Sequence, residues 1–420
     1  MSHHMIYTSR SQLESWQACP RKYYLEYVLE GGLDLDMSAT ALNIGSAVHG
    51  AVEQILRAQQ EFGPDQDSLL ALGLTAAAAS PEYATLESQD DRDLVTALVR
   101  TWWAEGLPVL RGWKVEDVER EEVFDFHTGL GYKHTEADHE MVRFQSRSDL
   151  IARAPDPVHD PVGRALNGLA VAPGLYNWNL KTWRSCGPAC GGGKCGWCRG
   201  CRQRALHTDA QTFTELLGAE KRLGEQFMGV VYQILVKEDH PLVWNFRNPA
   251  TGQSFLQRSW HCHASHENTH KKKPDLCTGD KWHKLPNDFE RVPVRDQPGG
   301  QAAHFERIRA EEPELLKDYH VILGPMARPS DYLMEEWVDM WLPRAAALDG
   351  AAIDAEKLRR AGNPEALERH LRSQWPKHTA HGNCVKMYGG RCPAFSICHA
   401  GADPSGWPVR VANHPKEGLK

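Results

Sequence analysis

The feature that most constrains this chain is the order of its apolar runs between residues 115 and 237. Strand-like stretches occupy 115–126 (VEDVEREEVFDF), 141–154 (MVRFQSRSDLIARA) and 174–183 (GLYNWNLKTW). A helical pattern over about 208–225 follows, and then FMGVVYQILVK at 227–237 reads as another apolar strand. Short apolar or alternating runs rich in β-branched and aromatic residues fit a pleated sheet, whereas the run near 208–225 repeats at helical spacing. Strands flanking one long helix predict an α/β core.

The regions around this core read more simply. Ser11 and Glu14 have the spacing of a capping box, and Pro20 ends or restarts the first helix. Tyr23, Tyr24 and Tyr27 fall on one packed face. A helix starting near Gly45 carries Val48, Val52, Ile55 and Leu56, and further helices are expected at 85–105, 329–346 and 352–373. Two stretches break the pattern: SCGPACGGGKCGWCRGCRQR, and a His-, Asn-, Pro- and Lys-rich segment from about 244 to 303. This gives four expected regions: a helical one at 1–110, a core at 111–243 with an insert at 184–206, the second insert at 244–303, and a helical end at 304–420.

With 41% hydrophobic and 25% charged residues, the chain has the composition of a globular protein with a real core. Its net charge of -7 excludes a generally basic nucleic-acid coat, while leaving room for carboxylates gathered around a metal and local basic residues. No run approaches the roughly 18–20 apolar residues of a membrane span, and MSHHMIYTSR lacks the apolar stretch of a secretory signal. A cytoplasmic setting without a membrane partner is the expectation, and the absence of GxxxxGK[ST] argues against a built-in helicase motor.

Three polar residues stand out inside the core pattern. Asp149 sits in SRSDLIAR, Lys181 in YNWNLKTW, and Gln211 opens the following helix. A hairpin would bring Asp149 close to Lys181. A carboxylate there binds a hard divalent cation, which polarises a phosphodiester and acidifies attacking water. A nearby lysine neutralises phosphate charge. His49 offers a nitrogen ligand better suited to Mn2+ than to Mg2+. Each residue taken alone has an ordinary alternative: a surface lysine, or an aspartate capping a turn. Glu121, one strand earlier, reads mainly as a solvated strand residue.

The pieces SRSQLESWQACPRKYYLEY, GSAVH at 45–49, SDLI at 148–151, NLKTW at 179–183, DAQ at 209–211, GVVYQILVK at 229–237 and the terminal CVKMYGGRCPAFSIC occur in a characteristic order. In that order the chain resembles the RecB-like branch of the PD-(D/E)xK nucleases, including iron–sulfur CRISPR-adaptation nucleases and their phage relatives. The resemblance implies a restriction-endonuclease-like α/β core with a helical N-terminal region, cysteine-rich inserts and a C-terminal iron–sulfur clamp. It implies metal ligation by His49, Asp149 and the Leu180 carbonyl, Lys181 as catalytic lysine and Gln211 as a site or substrate residue. It implies Mg2+- or Mn2+-dependent hydrolysis of DNA at exposed or single-stranded ends, in a bacterial or phage-infected cell, beside a separate helicase or recombination partner. One position departs from the pattern: Asn179 stands where the family has an acid two residues before the lysine. Its oxygen touches a metal but carries no full charge. Asn179 favours a second reading, a catalytically inactive nuclease-like DNA-binding or scaffold protein, and the cysteine-rich inserts are compatible with a third, a zinc-organised replication or repair adaptor.

Eleven cysteines are clustered rather than spread, and clusters in a reducing compartment point to metal before disulfides. Cys19, Cys384, Cys392 and Cys398 supply four thiolates able to hold zinc or an iron–sulfur cluster. Only the resemblance selects a structural [4Fe–4S] centre. Cys186, Cys190, Cys195 and Cys198 have the spacing of a structural Zn2+ knuckle, with Cys201 as a substitute. Cys262, His266, Cys277 and His283 make a second zinc candidate, with His261, His263 and His270 as alternatives. Lys271, Lys272 and Lys273 form a short basic patch, and Trp197 is an aromatic able to stack on a base.

Overall fold

A computed structural model describes residues 5–29, 40–62, 66–127, 141–155, 169–184, 210–237, 243–258, 290–292 and 299–376, with short pieces near 32–35, 165–166 and 392–407. The elements used below are β1 (Met5–Ser9), α1 (Arg10–Ala18), α2 (Thr40–Phe62), α3 (Gln66–Ala79), α4 (Gln89–Thr101), β2 (Lys114–His127), β3 (Met141–Ala154), β4 (Gly174–Arg184), α5 (Ala210–Leu223) and β5 (Phe227–Lys237). They continue with β6 (Val243–Arg247), β7 (Ser254–Arg258), β8 (Glu290–Val292), α6 (Gly300–Glu311), β9 (His320–Ala327), α7 (Asp331–Arg360) and α8 (Pro364–Gln374).

The core is the expected α/β arrangement. Six strands form one mixed sheet in the order β1-β3-β4-β5-β9, with β2 along β3. β4 and β5 run parallel and are joined through α5. Parallel neighbours need such a crossover, because a short turn cannot return the chain to its starting end. The helix buries Phe213, Leu216 and Ala219 at helical spacing against one face of the sheet. The opposite face packs on α2 and α4 through Val48, Val52, Ile55, Val95, Leu98 and Val99. Strand alternation serves both: Leu175 and Trp183 join the first core, Tyr176, Trp178 and Leu180 the second.

β3 carries the decisive geometry. A strand has two hydrogen-bonding edges. One edge of β3 is occupied by β2 from His127↔Met141 to Lys114↔Arg153. The other changes partner midway: β1 pairs in parallel over 141–145, and β4 pairs antiparallel over 150–154. Between them, at 146–149, the sheet opens into a fork. The strands also change face there. Phe124 and Phe144 belong to one core and Val118 and Leu150 to the other, although six residues would preserve the face of a regular strand. At the switch lies Glu119, a non-glycine residue with φ of 46°. That backbone region costs an L-residue about 1–3 kcal/mol and tends to persist where surrounding structure imposes it.

Several local expectations are corrected. The capping box is formed by Ser9 and Gln12, not Ser11 and Glu14, because β1 ends at Ser9 and the helix starts at once. α7 runs unbroken from 331 to 360 through Pro343 instead of splitting near 347–351. Leu348 and Ala352 are buried there, so packing overrides the weak local propensity. β1, β9 and α3 were not visible as apolar patterns. The described parts of the second insert contribute β6, β7 and β8 to a separate three-stranded sheet.

The iron–sulfur clamp is corrected as well. Among the described residues, the group whose ligand atoms converge as a metal site needs is His49, Glu119 and Asp149, with no cysteine in it. Cys19 is a buried thiol at the junction after α1, and Cys392 and Cys398 are partly buried and packed against the first core. None of the three forms a disulfide. Cys384 lies outside the described residues, as do the zinc candidates Cys186, Cys190, Cys195, Cys198, Cys201, Cys262, His266, Cys277 and His283, the alternatives His261, His263 and His270, Trp197 and the Lys271–Lys273 patch. Among the described residues, the expected [4Fe–4S] and zinc cofactors give way to one non-cysteine site for a divalent ion. Among the described residues, no helix is long and apolar enough to cross a membrane.

Candidate metal centre

Three elements deliver the ligand set to the fork. His49 comes from α2, Glu119 from the face switch of β2, and Asp149 from β3 one residue before β4 begins to pair. One ligand atom from each lies within 4.8 Å of the other two. His49 Nδ1 stands 3.6 Å from Glu119 Oε1 and 3.6 Å from Asp149 Oδ1. With bonds of about 2.1 Å, octahedral ligands sit roughly 3.0 Å apart when adjacent and 4.2 Å apart when opposed, so both separations suit one ion. The donor set of one imidazole nitrogen and two carboxylates fits Mg2+ or, with the nitrogen, Mn2+.

Electrostatics point the same way. Burial is the main cause that raises the Glu119 carboxyl above its usual range; the neighbouring Asp149 raises it further, while His49 and Arg147 act against the shift. Arg147 Nε lies 3.0 Å from Glu119 Oε2. Two carboxylates facing each other in a partly buried fork are under a strain that a dication relieves.

The lysine side of the site is contiguous with this triad. The Leu180 N–H donates to Asp149 Oδ2 at 2.9 Å, replacing the backbone pairing lost where the strands diverge. Lys181 Nζ lies 3.6 Å from the same oxygen. It donates to Gln211 Oε1 at 3.0 Å and reaches Asn179 Oδ1 at 3.5 Å. Asn177, Asn179 and Lys181 alternate along β4 and share the face covered by α5. Gln211 Nε2 donates to Asn179 Oδ1 at 3.2 Å and to Glu215 Oε1 at 2.5 Å. Below the fork is a cleft with a largely apolar wall that includes Val52, Leu56, Val118 and Trp178.

Thus His49, Asp149, Asn179, Leu180, Lys181 and Gln211, all singled out in the sequence, occupy one neighbourhood. Two partners escaped sequence reading. Glu119, rather than Glu121, faces the fork. Five acids fall between 116 and 122, and the positive φ of Glu119, at the face switch, breaks the alternation that would have grouped it with Glu121. Glu215 follows Gln211 by four residues, a helical spacing that places both on one face, yet it lies outside every short motif.

Asn179 has one further peculiarity. Its Nδ2 is buried without a hydrogen-bond partner.

Comparison with known proteins agrees with this geometry. Residues 7–159 match the sequence profile of the PD-(D/E)XK nuclease superfamily. The matched region includes His49, Glu119 and Asp149 and ends before Asn179. A 63-residue stretch is 36% identical to an ATP-dependent helicase/deoxyribonuclease subunit of Carboxydothermus hydrogenoformans, covering 15% of this chain and 6% of that protein. The chain therefore spans only a small part of that relative's length. Over residues 7–159 it is similar to the nuclease superfamily, and it has an α/β core and a site able to hold a divalent ion.

Proposed function

We propose that the chain is a metal-dependent DNA nuclease that hydrolyses phosphodiester bonds, working as an exonuclease on exposed or single-stranded ends beside a separate helicase or recombination protein. The observation that carries this reading is the meeting of His49, Glu119 and Asp149 with Lys181 3.6 Å from Asp149. The end preference and the partner rest on the resemblance to RecB-like and CRISPR-adaptation nucleases and on the helicase/deoxyribonuclease relative described above.

In this reading His49, Glu119, Asp149 and the Leu180 carbonyl would hold the ion. When bound, a divalent ion supplies Lewis acidity toward a phosphodiester and lowers the pKa of attacking water. The chain does the rest. Asp149 uses one oxygen toward His49 and the other toward the Leu180 N–H, so its carboxylate plane is set before metal arrives. Lys181 is held by Asp149 and Gln211 with its ammonium toward the fork, where it offsets charge building on the phosphate. Asn179 takes part through Oδ1 only, since an amide nitrogen is no ligand for a hard cation.

Asn179 also favours a second reading, a nuclease-like DNA-binding or scaffold protein without cleavage. Cleavage of end-labelled single-stranded and duplex DNA across Mg2+ and Mn2+ titrations separates the two. The nuclease reading expects cleavage by the present chain, more by Asn179→Asp, and a loss of about 100-fold or more in Lys181→Ala. DNA binding without cleavage by the present chain and by Asn179→Asp alike would favour the scaffold. Equal cleavage by the present chain and Lys181→Ala would remove this site from the reaction.

A further inference from the structure

Glu215 is a carboxylate of this region that the metal triad does not use, and it is only 1% exposed. Burying a carboxylate is costly unless its oxygens are satisfied. Here both are: Oε1 accepts from Gln211 Nε2 at 2.5 Å and Oε2 from Asn177 Nδ2 at 2.6 Å. Burial, chiefly, pushes the Glu215 carboxyl up to about 7, with the Asp149 charge acting in the same direction and Lys181, Asn177 and Gln211 against it.

The hydrogen-bond chain has a direction. Lysine only donates, and an ionised carboxylate only accepts. Gln211 lies between them, with Oε1 on Lys181 at 3.0 Å and Nε2 on Glu215. Turning this amide over would set oxygen against carboxylate and NH2 against ammonium. An ionised Glu215 and Lys181 therefore agree on which end of Gln211 meets the lysine, and each holds it there. The same constraint reaches Asn179: Gln211 Nε2 also donates to Asn179 Oδ1, which sends the Asn179 Nδ2 to its partnerless position.

We propose that Glu215 is a positioning residue for Lys181, orienting the Gln211 amide so that the lysine is held toward Asp149 and the fork. The kinetic arm of its test rests on the nuclease reading; the spectroscopic arm does not. No short motif of the sequence includes Glu215, and its effect is indirect, through Gln211, with no contact to metal or substrate required.

The test uses the full chain with Glu215→Leu, Glu215→Gln, Gln211→Leu and the Glu215→Leu/Gln211→Leu double variant. The first readout is the side-chain ammonium resonance of Lys181 in lysine-labelled protein, assigned by its disappearance in Lys181→Arg. We expect this signal to shift or vanish in Glu215→Leu and Gln211→Leu. Glu215→Gln should retain it, because Asn177 Oδ1 is buried without a partner and can turn to accept from the new NH2, leaving the oxygen of the introduced amide for Gln211. The second readout is Mn2+-dependent DNA cleavage. Loss of an orienting partner of this kind costs roughly 10–100-fold, expected in kcat with KM for DNA unchanged. The double variant should be no worse than either single one, since both break the same link. A folded Glu215→Leu that keeps the Lys181 signal overturns the proposal, and so do additive losses in the double variant. Should Glu215→Leu not fold, an unchanged Lys181 signal in Gln211→Leu overturns it equally. Absence of cleavage by every version would sink the nuclease reading, while the Lys181 signal still decides the role of Glu215.

Discussion

The centre is a place where side chains trade stability for affinity. Glu119 adopts φ of 46° and keeps a carboxylate beside Asp149 with its carboxyl raised by burial. A neutral isostere should relieve the metal-free protein while removing a ligand. Glu119→Gln is therefore expected to raise the metal-free melting temperature by a few degrees, roughly 1 kcal/mol for a chain of this size. It should also weaken Mn2+ binding by about tenfold or more. Calorimetry of both properties checks this; a variant that melts lower and binds Mn2+ normally would remove Glu119 from the ligand set. The positions of Asp149 and Lys181 were legible as a carboxylate and a lysine in successive strand patterns. Glu119 was not, because its selection among neighbouring acids depends on a local backbone turnover in the strand rather than on residue type.

At the scale of elements, α2 must lie close enough to β4 for His49 to reach the fork. Gly45 allows that approach: a Cβ there would stand 2.9 Å from Thr182 Oγ1, next to Lys181 in sequence. Gly50, one turn on, has open space around it. The two glycines should respond in opposite ways. Gly50→Ala is expected to stabilise the chain by up to about 1 kcal/mol through helix propensity alone. Gly45→Val should displace α2, lowering stability and weakening Mn2+ binding together. Thermal melts with and without Mn2+ distinguish the pair, and a Gly45→Val protein with unaltered Mn2+ affinity would show that this approach is not needed. The helix itself was readable from Val48, Val52, Ile55 and Leu56. Its contact with Thr182 was not, because periodicity identifies the buried face of a helix and not the strand it meets.

At the scale of the whole molecule, two cores on opposite faces of one sheet hold the fork between them. β9, at the edge of the sheet, brings a buried histidine into that packing. Burial lowers His320 from about 6.5 to about 4, so it is neutral in the folded chain. The folded pKa lies below the unfolded one, and the unfolded chain takes up more protons between them. The stability associated with neutral His320 is complete above about pH 6.5, declines as pH falls, and is lost by about pH 4. The span corresponds to about 3 kcal/mol. Denaturant unfolding from pH 7 to 4 should show a steeper decline for the present chain than for His320→Phe. Parallel curves would refute the assignment. A buried Glu215 with a raised carboxyl acts in the opposite direction over the same range, which is why the comparison with the variant is the informative measurement.

The amino-acid sequence alone determined the α/β core, the strands over 141–154, 174–183 and 227–237 and the helix that crosses between the last two, because periodicity records which face each element buries. It also marked His49, Asp149, Lys181 and Gln211, whose types suit metal and phosphate. Only the tertiary structure selected Glu119 and Glu215 as their companions, and only it replaced a cysteine clamp by a His/Glu/Asp site. The physical reason is that metal ligation requires ligand atoms a few ångströms apart. Here that proximity comes from one edge of β3 changing partner between β1 and β4, a property of strand pairing that no local run of residues encodes.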